Sequence, residues 1–344
     1  MASQPLFILL TISIGSIGPI YSEAFAQQST HRLKAAPDTV VWGYYDGSVP
    51  PVLTVDSGDI VDVEAMITGA RLLRTLGVPE DAIRPDMEEM DEKVKQEGPH
   101  LLLGPVAVRG AEAGDVLEVR ILEMGIVDPW AVNLFAPGGG ALPKLFPYQG
   151  GKFVRLDLER NVALFGPGIE IPLRPFFGSL GVAPPPISGR IGSGPPGVHT
   201  GNLDNKELTA GSTLYIPVHV KDAFLFIGDG HAAQGDGEVN GTALEASLSG
   251  KLQLVVRKDL KFSWPRAETP QYYMTMGLDP DLDTAAEMAV SQMVDHLVQD
   301  RGMSREDAYV LCSAAVDLRV TQVVDGTKGI HALLPKNLFV GGGR

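Results

Sequence analysis

The run Ala223-Phe224-Leu225-Phe226-Ile227 is apolar throughout, and the next eleven residues, Gly228-Asp229-Gly230-His231-Ala232-Ala233-Gln234-Gly235-Asp236-Gly237-Glu238, set five polar or ionisable side chains among glycines. A short continuous apolar run that ends in turn residues reads as a buried strand. The glycines then let the backbone turn tightly, so that the side chains converge at the mouth of a sheet. Imidazole and carboxylate groups gathered in this way point to metal-assisted hydrolysis. The plain alternative is a solvated hairpin loop, since loops carry solvation and function alike.

A second polar cluster, His199-Thr200-Gly201-Asn202-Leu203-Asp204-Asn205-Lys206, lies just ahead of a strand-like segment at 212–220. In a meander the end of one strand faces the start of another, so His199, Asn202 and Asp204 are expected to meet Asp229, His231 and Glu238. Nitrogen from His with carboxylate oxygen suits zinc, and an oxygen-rich variant of the same site suits calcium. Glu238 or Asp236 would serve as the base that carries a proton to a leaving amine. The neutral or weakly basic members Asn202, Gln234 and His199 are assigned to the substrate.

Forty glycines and 26 prolines demand many turns, which favours a β-rich fold. Alternation at 60–64 and 116–121 predicts half-buried strands, each entered through a Gly-Asp turn, Gly58-Asp59 and Gly114-Asp115. The charged stretch 71–98 reads as a partly helical insertion whose acidic run, 86–92, is a solvated face. From 130 to 196 the chain is rich in Gly, Pro and aromatics, and Pro184-Pro185-Pro186 and 192–197 read as ordered loops or connectors between two parts of the fold. An antiparallel meander is expected at 212–220, 223–227, 238–247 and 251–256. A helix follows from 283 to 298, and a second starts at Ser304 with Asp307 completing a capping signal. A last strand is expected at 318–324. The fold class is α+β and β-rich, with antiparallel sheets in a sandwich-like core and a C-terminal helical pair. Residues 27–200 and 201–344 are read as two parts of one compact unit.

The net charge of -14 leaves no basic face for phosphates, which argues against nucleic acid as a partner. Residues 5–20 are uncharged and rich in Leu and Ile, and Ala24-Phe25-Ala26 supplies the small-x-small pattern of a signal-peptidase site. Residues 1–26 are therefore expected to be a signal peptide cleaved before Gln27, making the protein periplasmic or secreted. No other stretch is long and apolar enough to span a bilayer. The single cysteine, Cys312, lies on an apolar helix face and reads as a buried structural thiol. His100 reads as a loop histidine, His219 as structural and His296 as exposed, while His31 and His331 have no polar neighbours that build a site. There is no Gly-x-Ser-x-Gly elbow and no Gly-Lys-Ser/Thr phosphate loop.

The 228–238 segment resembles the signature of the acetamidase/formamidase family. So do Gly201-Asn202-Leu203-Asp204, Leu208-Thr209-Ala210-Gly211-Ser212, 178–184, the segments around Gly58-Asp59 and Gly114-Asp115, 284–289 and 315–324. The resemblance runs from about residue 40 to 339. It implies hydrolysis of small aliphatic amides such as formamide or acetamide to a carboxylate and ammonia, a β-rich fold and a divalent-metal site. It places Asp204, Asp229 and His231 in metal binding or catalysis, makes Glu238 the proton shuttle and raises His100 to a metal ligand. Two departures stand out. Asn240-Gly241 occupies a position where relatives often have Cys, and an export signal suggests a different or larger amide met outside the cytoplasm. Two other readings stay open: a binding protein for metal or small ligand on the same scaffold, and a cysteine-dependent amidase using Cys312. The glycine- and apolar-rich middle of the chain suggests a homo-oligomer.

Overall fold

Strand Ile60–Ala65 alternates half-buried with buried residues along its length, as a strand does when one face meets a core and the other meets solvent. In the computed structural model, which describes residues 28–340, this strand belongs to a nine-stranded sheet. The expected signal peptide lies outside the described residues. The sheet runs, in spatial order, Thr30–Lys34, Ile60–Ala65, Leu248–Arg257, Val116–Ile126, Thr213–Pro217, Arg266–Glu268, Tyr272–Asp279, Lys328–Pro335 and Asp317–Gln322. Every pairing is antiparallel except the first. A ten-stranded sheet packs against it. Its centre is formed by Leu225–Ala233 between Leu101–Val108 and Leu244–Glu245, and Phe176–Val182 also pairs with Leu225–Ala233.

One continuous core fills the space between the sheets. Val61, Val119, Leu214 and Leu252 contribute from the first sheet, and Leu103, Val132, Leu180 and Ile227 from the second. Both sheets draw strands from before and after residue 200. The two Gly-Asp turns use the same device: Asp59 accepts from the Asp56 N–H at 3.0 Å and Asp115 from the Glu112 N–H at 3.0 Å. The carboxylate closes each turn by bonding the backbone three residues earlier.

Helices Leu282–Arg301 and Arg305–Ala315 cover the outer face of the nine-stranded sheet. Asp281 caps the first through the Thr284 N–H, Gly302 ends it in a left-handed conformation, and Ser304 caps the second through the Asp307 N–H. Ala285, Ala289, Met293, Leu297 and Cys312 pack there on Ile330, Ala332 and Leu334. Cys312 is thus buried, and burial raises its thiol pKa. Among the described residues no helix is long and apolar enough to cross a membrane.

The 71–98 insertion holds two helices, Ala70–Thr75 and Pro85–Lys93. Its acidic run is half-exposed and ion-paired, as in Lys93–Glu89, while Met87 and Met90 turn inward. The 130–182 stretch holds strands Trp130–Phe135, Gly150–Asp157, Val162–Gly166, Ile169–Pro172 and Phe176–Val182, and the proline- and glycine-rich stretches at 184–186 and 192–197 follow outside these long strands. Two segments depart from the sequence reading. The segment 238–247 is mostly turn, with only Leu244–Glu245 in a strand. Finally, the strand that begins at Leu225 does not stop at Ile227 but continues to Ala233. Gly230 belongs to the strand because a Cβ there would lie 2.3 Å from the Ala246 carbonyl oxygen, so its role is close approach to a neighbouring strand.

Leu297 is fully buried between helix and sheet. Leu297→Ala should therefore lower unfolding stability by about 2–5 kcal/mol, read as a reduced urea midpoint with an unchanged m-value.

Candidate metal centre

The extended strand Leu225–Ala233 carries Asp229 and His231, and its partners complete the site. Glu245 lies opposite His231 in the neighbouring strand. Asp204 comes from the loop after Asn202, Glu238 from the turn beyond the strand, and Asp325 from the turn that follows strand Asp317–Gln322. His231 Nε2 is the centre. Asp229 Oδ2 and Glu245 Oε1 each stand 3.4 Å from it, and Asp204 Oδ1 and Glu238 Oε1 each 3.9 Å. All five side chains are buried. His100 Nε2 approaches from the other side, 3.9 Å from Asp229 Oδ1.

Both imidazoles are held in the same way. Gln234 donates its amide N–H to the Asp204 carbonyl at 2.7 Å, which turns Oε1 towards His231 Nδ1 at 2.9 Å. His100 Nδ1 donates to the Ser193 carbonyl at 3.0 Å. In each ring the Nδ1 proton is engaged by an acceptor, so Nε2 is the nitrogen left facing the carboxylates. This is the arrangement by which outer partners fix a metal-ligating histidine. The carboxylates are held too. Asp204 Oδ2 accepts from Asn202 at 2.7 Å and from Gln322 at 3.0 Å, and Asn202 also donates to Asp325 at 3.0 Å. Asn202 is itself held by Ser179, whose hydroxyl donates to its Oδ1 at 2.7 Å.

Electrostatics follow from putting these charges in a dry site. Burial disfavours charge on His231, but Glu245, Asp229 and Glu238 outweigh it and push its pKa up to about 10. Burial raises Glu238 and Asp204 well above the usual carboxylate range, and mutual repulsion adds to this. Burial likewise takes Glu245 up to about 8 and Asp325 up to about 6. Asp229 goes the other way, because His100 and His231 offset its burial and keep it ionised. The excess of buried carboxylates over imidazoles calls for a cation.

The residues fit a divalent metal. Asp204 Oδ1 and His231 Nε2 are buried with no hydrogen-bond partner, a costly state for groups with no further function. Two overlapping triads, Asp204–His231–Glu238 and Asp229–His231–Glu245, each bring three donor atoms within 4.8 Å of one another. Gly178 forms the floor, where a Cβ would come within 2.5 Å of Asp204 Oδ1 and Asp229 Oδ2. The backbone is bent to the purpose: Asp204, Asp229 and Glu238 have φ of 50°, 56° and 44°. Such left-handed conformations cost on the order of 1–3 kcal/mol and gather at functional sites.

The structure brings together Asp204, Asp229, His231, His100 and Glu238 as the sequence placed them. Asn202 and Gln234 are present and hydrogen-bond to the ligand side chains and their loop. Two candidates lie elsewhere. Asp236 points outward and pairs with Lys206 at 3.0 Å, because the chain turns away after Gln234. His199 packs edge-on to Tyr45 with ring centroids 4.9 Å apart, and burial lowers its pKa to about 4. It is a core histidine. His296, read as exposed, is mostly covered and bonds Asp300 at 2.6 Å. His219 bonds the Val198 carbonyl, and His31 and His331 bond Asp59 and Thr321 away from the cluster. Sequence reasoning missed Glu245, Asp325 and Gln322. The available signal for Glu245 was a lone carboxylate inside the apolar run Ala243-Leu244-Glu245-Ala246.

Fold and site together define a β-sandwich protein with a buried carboxylate–imidazole centre that could hold a metal. The chain belongs to the acetamidase/formamidase family, whose sequence model matches residues 29–187 and 192–340. It is 33% identical over 192 residues to a formamidase of Methylophilus methylotrophus, covering 41% of this chain and 47% of that protein. It is 29% identical over 199 residues to an acetamidase of Mycolicibacterium smegmatis, covering 41% and 49%. The chain thus spans about half the length of these curated relatives. The crystal structure of an acetamidase from Bacillus halodurans is similar with a TM-score of 0.77 at 32% identity, covering 90% of this chain and 98% of that one.

Two substitutions probe the outer supports of the centre. Gln234→Leu removes the acceptor on His231 Nδ1 and should weaken metal affinity about 10- to 100-fold, measured by competition with a chromogenic chelator. Gly178→Ala should weaken it at least as much, since the methyl group occupies space between two ligand oxygens.

Proposed function

We propose that this protein is an exported, metal-dependent amidohydrolase that cleaves a small linear aliphatic amide to a carboxylate and ammonia. The observation that carries the reading is the ring of carboxylates around His231 Nε2, with that nitrogen and Asp204 Oδ1 both unpartnered. Asp204, Asp229, His231 and His100, with Glu245, would hold the ion. Nitrogen from two imidazoles favours zinc over calcium, which prefers an all-oxygen shell. A divalent ion bound there supplies Lewis acidity towards a carbonyl oxygen and lowers the pKa of water.

The protein's own part is proton transfer and placement. Glu238 is buried, with its carboxyl oxygen 3.9 Å from His231 Nε2 and its pKa raised by burial, the setting of a proton-transfer group. It accepts a proton from the water that attacks the amide carbon and delivers it to the nitrogen as the C–N bond breaks. The carboxylic acid and ammonia so formed exchange a proton to give carboxylate and ammonium. Asn202, Gln234 and Gln322 hold the ligands rigid, which keeps reorganisation small.

The formamidase and acetamidase names of the relatives support a short acyl group. The expected signal peptide supports periplasmic or secreted location, with a mature chain beginning at Gln27, and the glycine- and apolar-rich middle supports a homo-oligomer.

The decisive assay is ammonia release from formamide, acetamide and larger aliphatic amides, with bound metal quantified before and after chelation. Activity should vanish with the metal and return with zinc. Glu238→Gln should retain the metal and lose about 10²- to 10⁴-fold in kcat, and alkylation of Cys312 should leave turnover unchanged. A stoichiometric metal with no turnover of any amide would favour the binding-protein reading instead.

A further inference from the structure

A cavity of about 610 Å³ opens on the outer face of the nine-stranded sheet beside the end of helix Leu282–Arg301. It shares no residue with the carboxylate–imidazole centre. Tyr215 and Arg266, cross-strand neighbours, form one wall, and Phe262, Tyr273 and His296 form others. Four Lys or Arg side chains line it against three carboxylates, although the chain carries a net charge of -14.

The carboxylates are already committed. Asp259 takes both oxygens to Arg257, at 2.8 and 2.6 Å. Glu268 accepts from the Tyr215 hydroxyl at 2.6 Å and from Lys336 at 2.7 Å. Asp300 accepts from His296 Nδ1 at 2.6 Å. Arg266 gets no such bond. It is only 8% exposed, its Nε has no hydrogen-bond partner, and the Asp300 oxygen stands 3.7 Å from Nη1. Its guanidinium lies over the Phe262 ring at 4.6 Å. A buried guanidinium without hydrogen-bonded acceptors is expensive. His296 Nε2 is also buried and unpartnered. Because Nδ1 gives its proton to Asp300, Nε2 presents a lone pair.

We propose that this cavity binds a small organic acid, with its carboxylate on Arg266, an O–H or N–H group donated to His296 Nε2, and its apolar part against Phe262 and Tyr273. The planar fork of a guanidinium matches a carboxylate in two parallel bonds. The volume falls within the range of about 300–1,000 Å³ that small ligands occupy. Burial lowers the pKa of both Arg266 and His296, outweighing the nearby Asp300 carboxylate that acts to raise each. The inference does not depend on the amidase reading.

The test is calorimetric titration of the full metal-loaded protein with 4-hydroxybenzoate, which carries a carboxylate, a ring and a hydroxyl donor. Saturable binding is expected, weakened roughly tenfold or more by Arg266→Met, the loss of one charged bond. Because Arg266 is buried, Gln299→Trp serves as a second variant. Residue 299 is exposed at the rim of the cavity, so the indole should block binding without disturbing the core. His231→Ala should leave binding intact. No saturable binding below about 10 mM, or binding lost in His231→Ala but kept in Arg266→Met and Gln299→Trp, would overturn the proposal.

Discussion

The negative charge packed around one imidazole nitrogen is the constraint on which the rest of this structure depends. Asp204, Asp229, Glu238 and Glu245 are nearly dry, and carboxylates so placed repel one another and resist ionisation. Left alone, such a cluster would push its members apart or take up protons. The fold opposes the first by tethering several of these groups. Asn202 and Gln322 hold Asp204, the Ala243 N–H holds Glu245 at 2.8 Å, and Gln234 holds His231. A divalent cation would relieve the second.

Holding these groups requires both sheets. Asp229, His231 and Glu245 stand on neighbouring strands of the ten-stranded sheet. Gln322 is the last residue of the edge strand of the other sheet, and Asp325 follows it by one turn. The parallel bridge between Gly237 and Gln322 ties the turn that carries Glu238 to that same edge. The centre is therefore a clasp between the layers, and the apolar core between them supplies the rigidity that left-handed backbone at Asp204, Asp229 and Glu238 demands. This also explains why so many polar side chains here serve other side chains. In a dry site an unanchored ligand is a mobile one, and mobility costs affinity.

The two polar regions of the molecule are opposites in charge. The centre concentrates carboxylates and suits a cation, while the cavity behind the nine-stranded sheet keeps a buried guanidinium without a hydrogen-bonded acceptor. Both are recognisable from the same physical sign, a buried polar atom with nothing to bond.

Local signals in the chain determined a good deal by themselves. The Gly-Asp turns, the caps at Asp281 and Ser304, the alternation at 60–64 and the family-like run around His231 all depend on neighbours in sequence, and all could be read there. They were enough to indicate a β-rich sandwich and to name Asp204, Asp229, His231 and Glu238 together. Strand extent was not legible in the same way. The glycines at 228 and 230 look like turn residues until the crowding of neighbouring strands shows why a strand needs them. Nor could sequence separate Asp236 from Asp229, or His199 from His231, since each pair has similar composition around it. Tertiary structure decided between them, by turning Asp236 out to Lys206 and burying His199 against Tyr45. It also recruited Glu245, Gln322 and Asp325 from distant stretches. Proximity between residues more than 100 positions apart is set by sheet pairing and packing, and no local pattern encodes it.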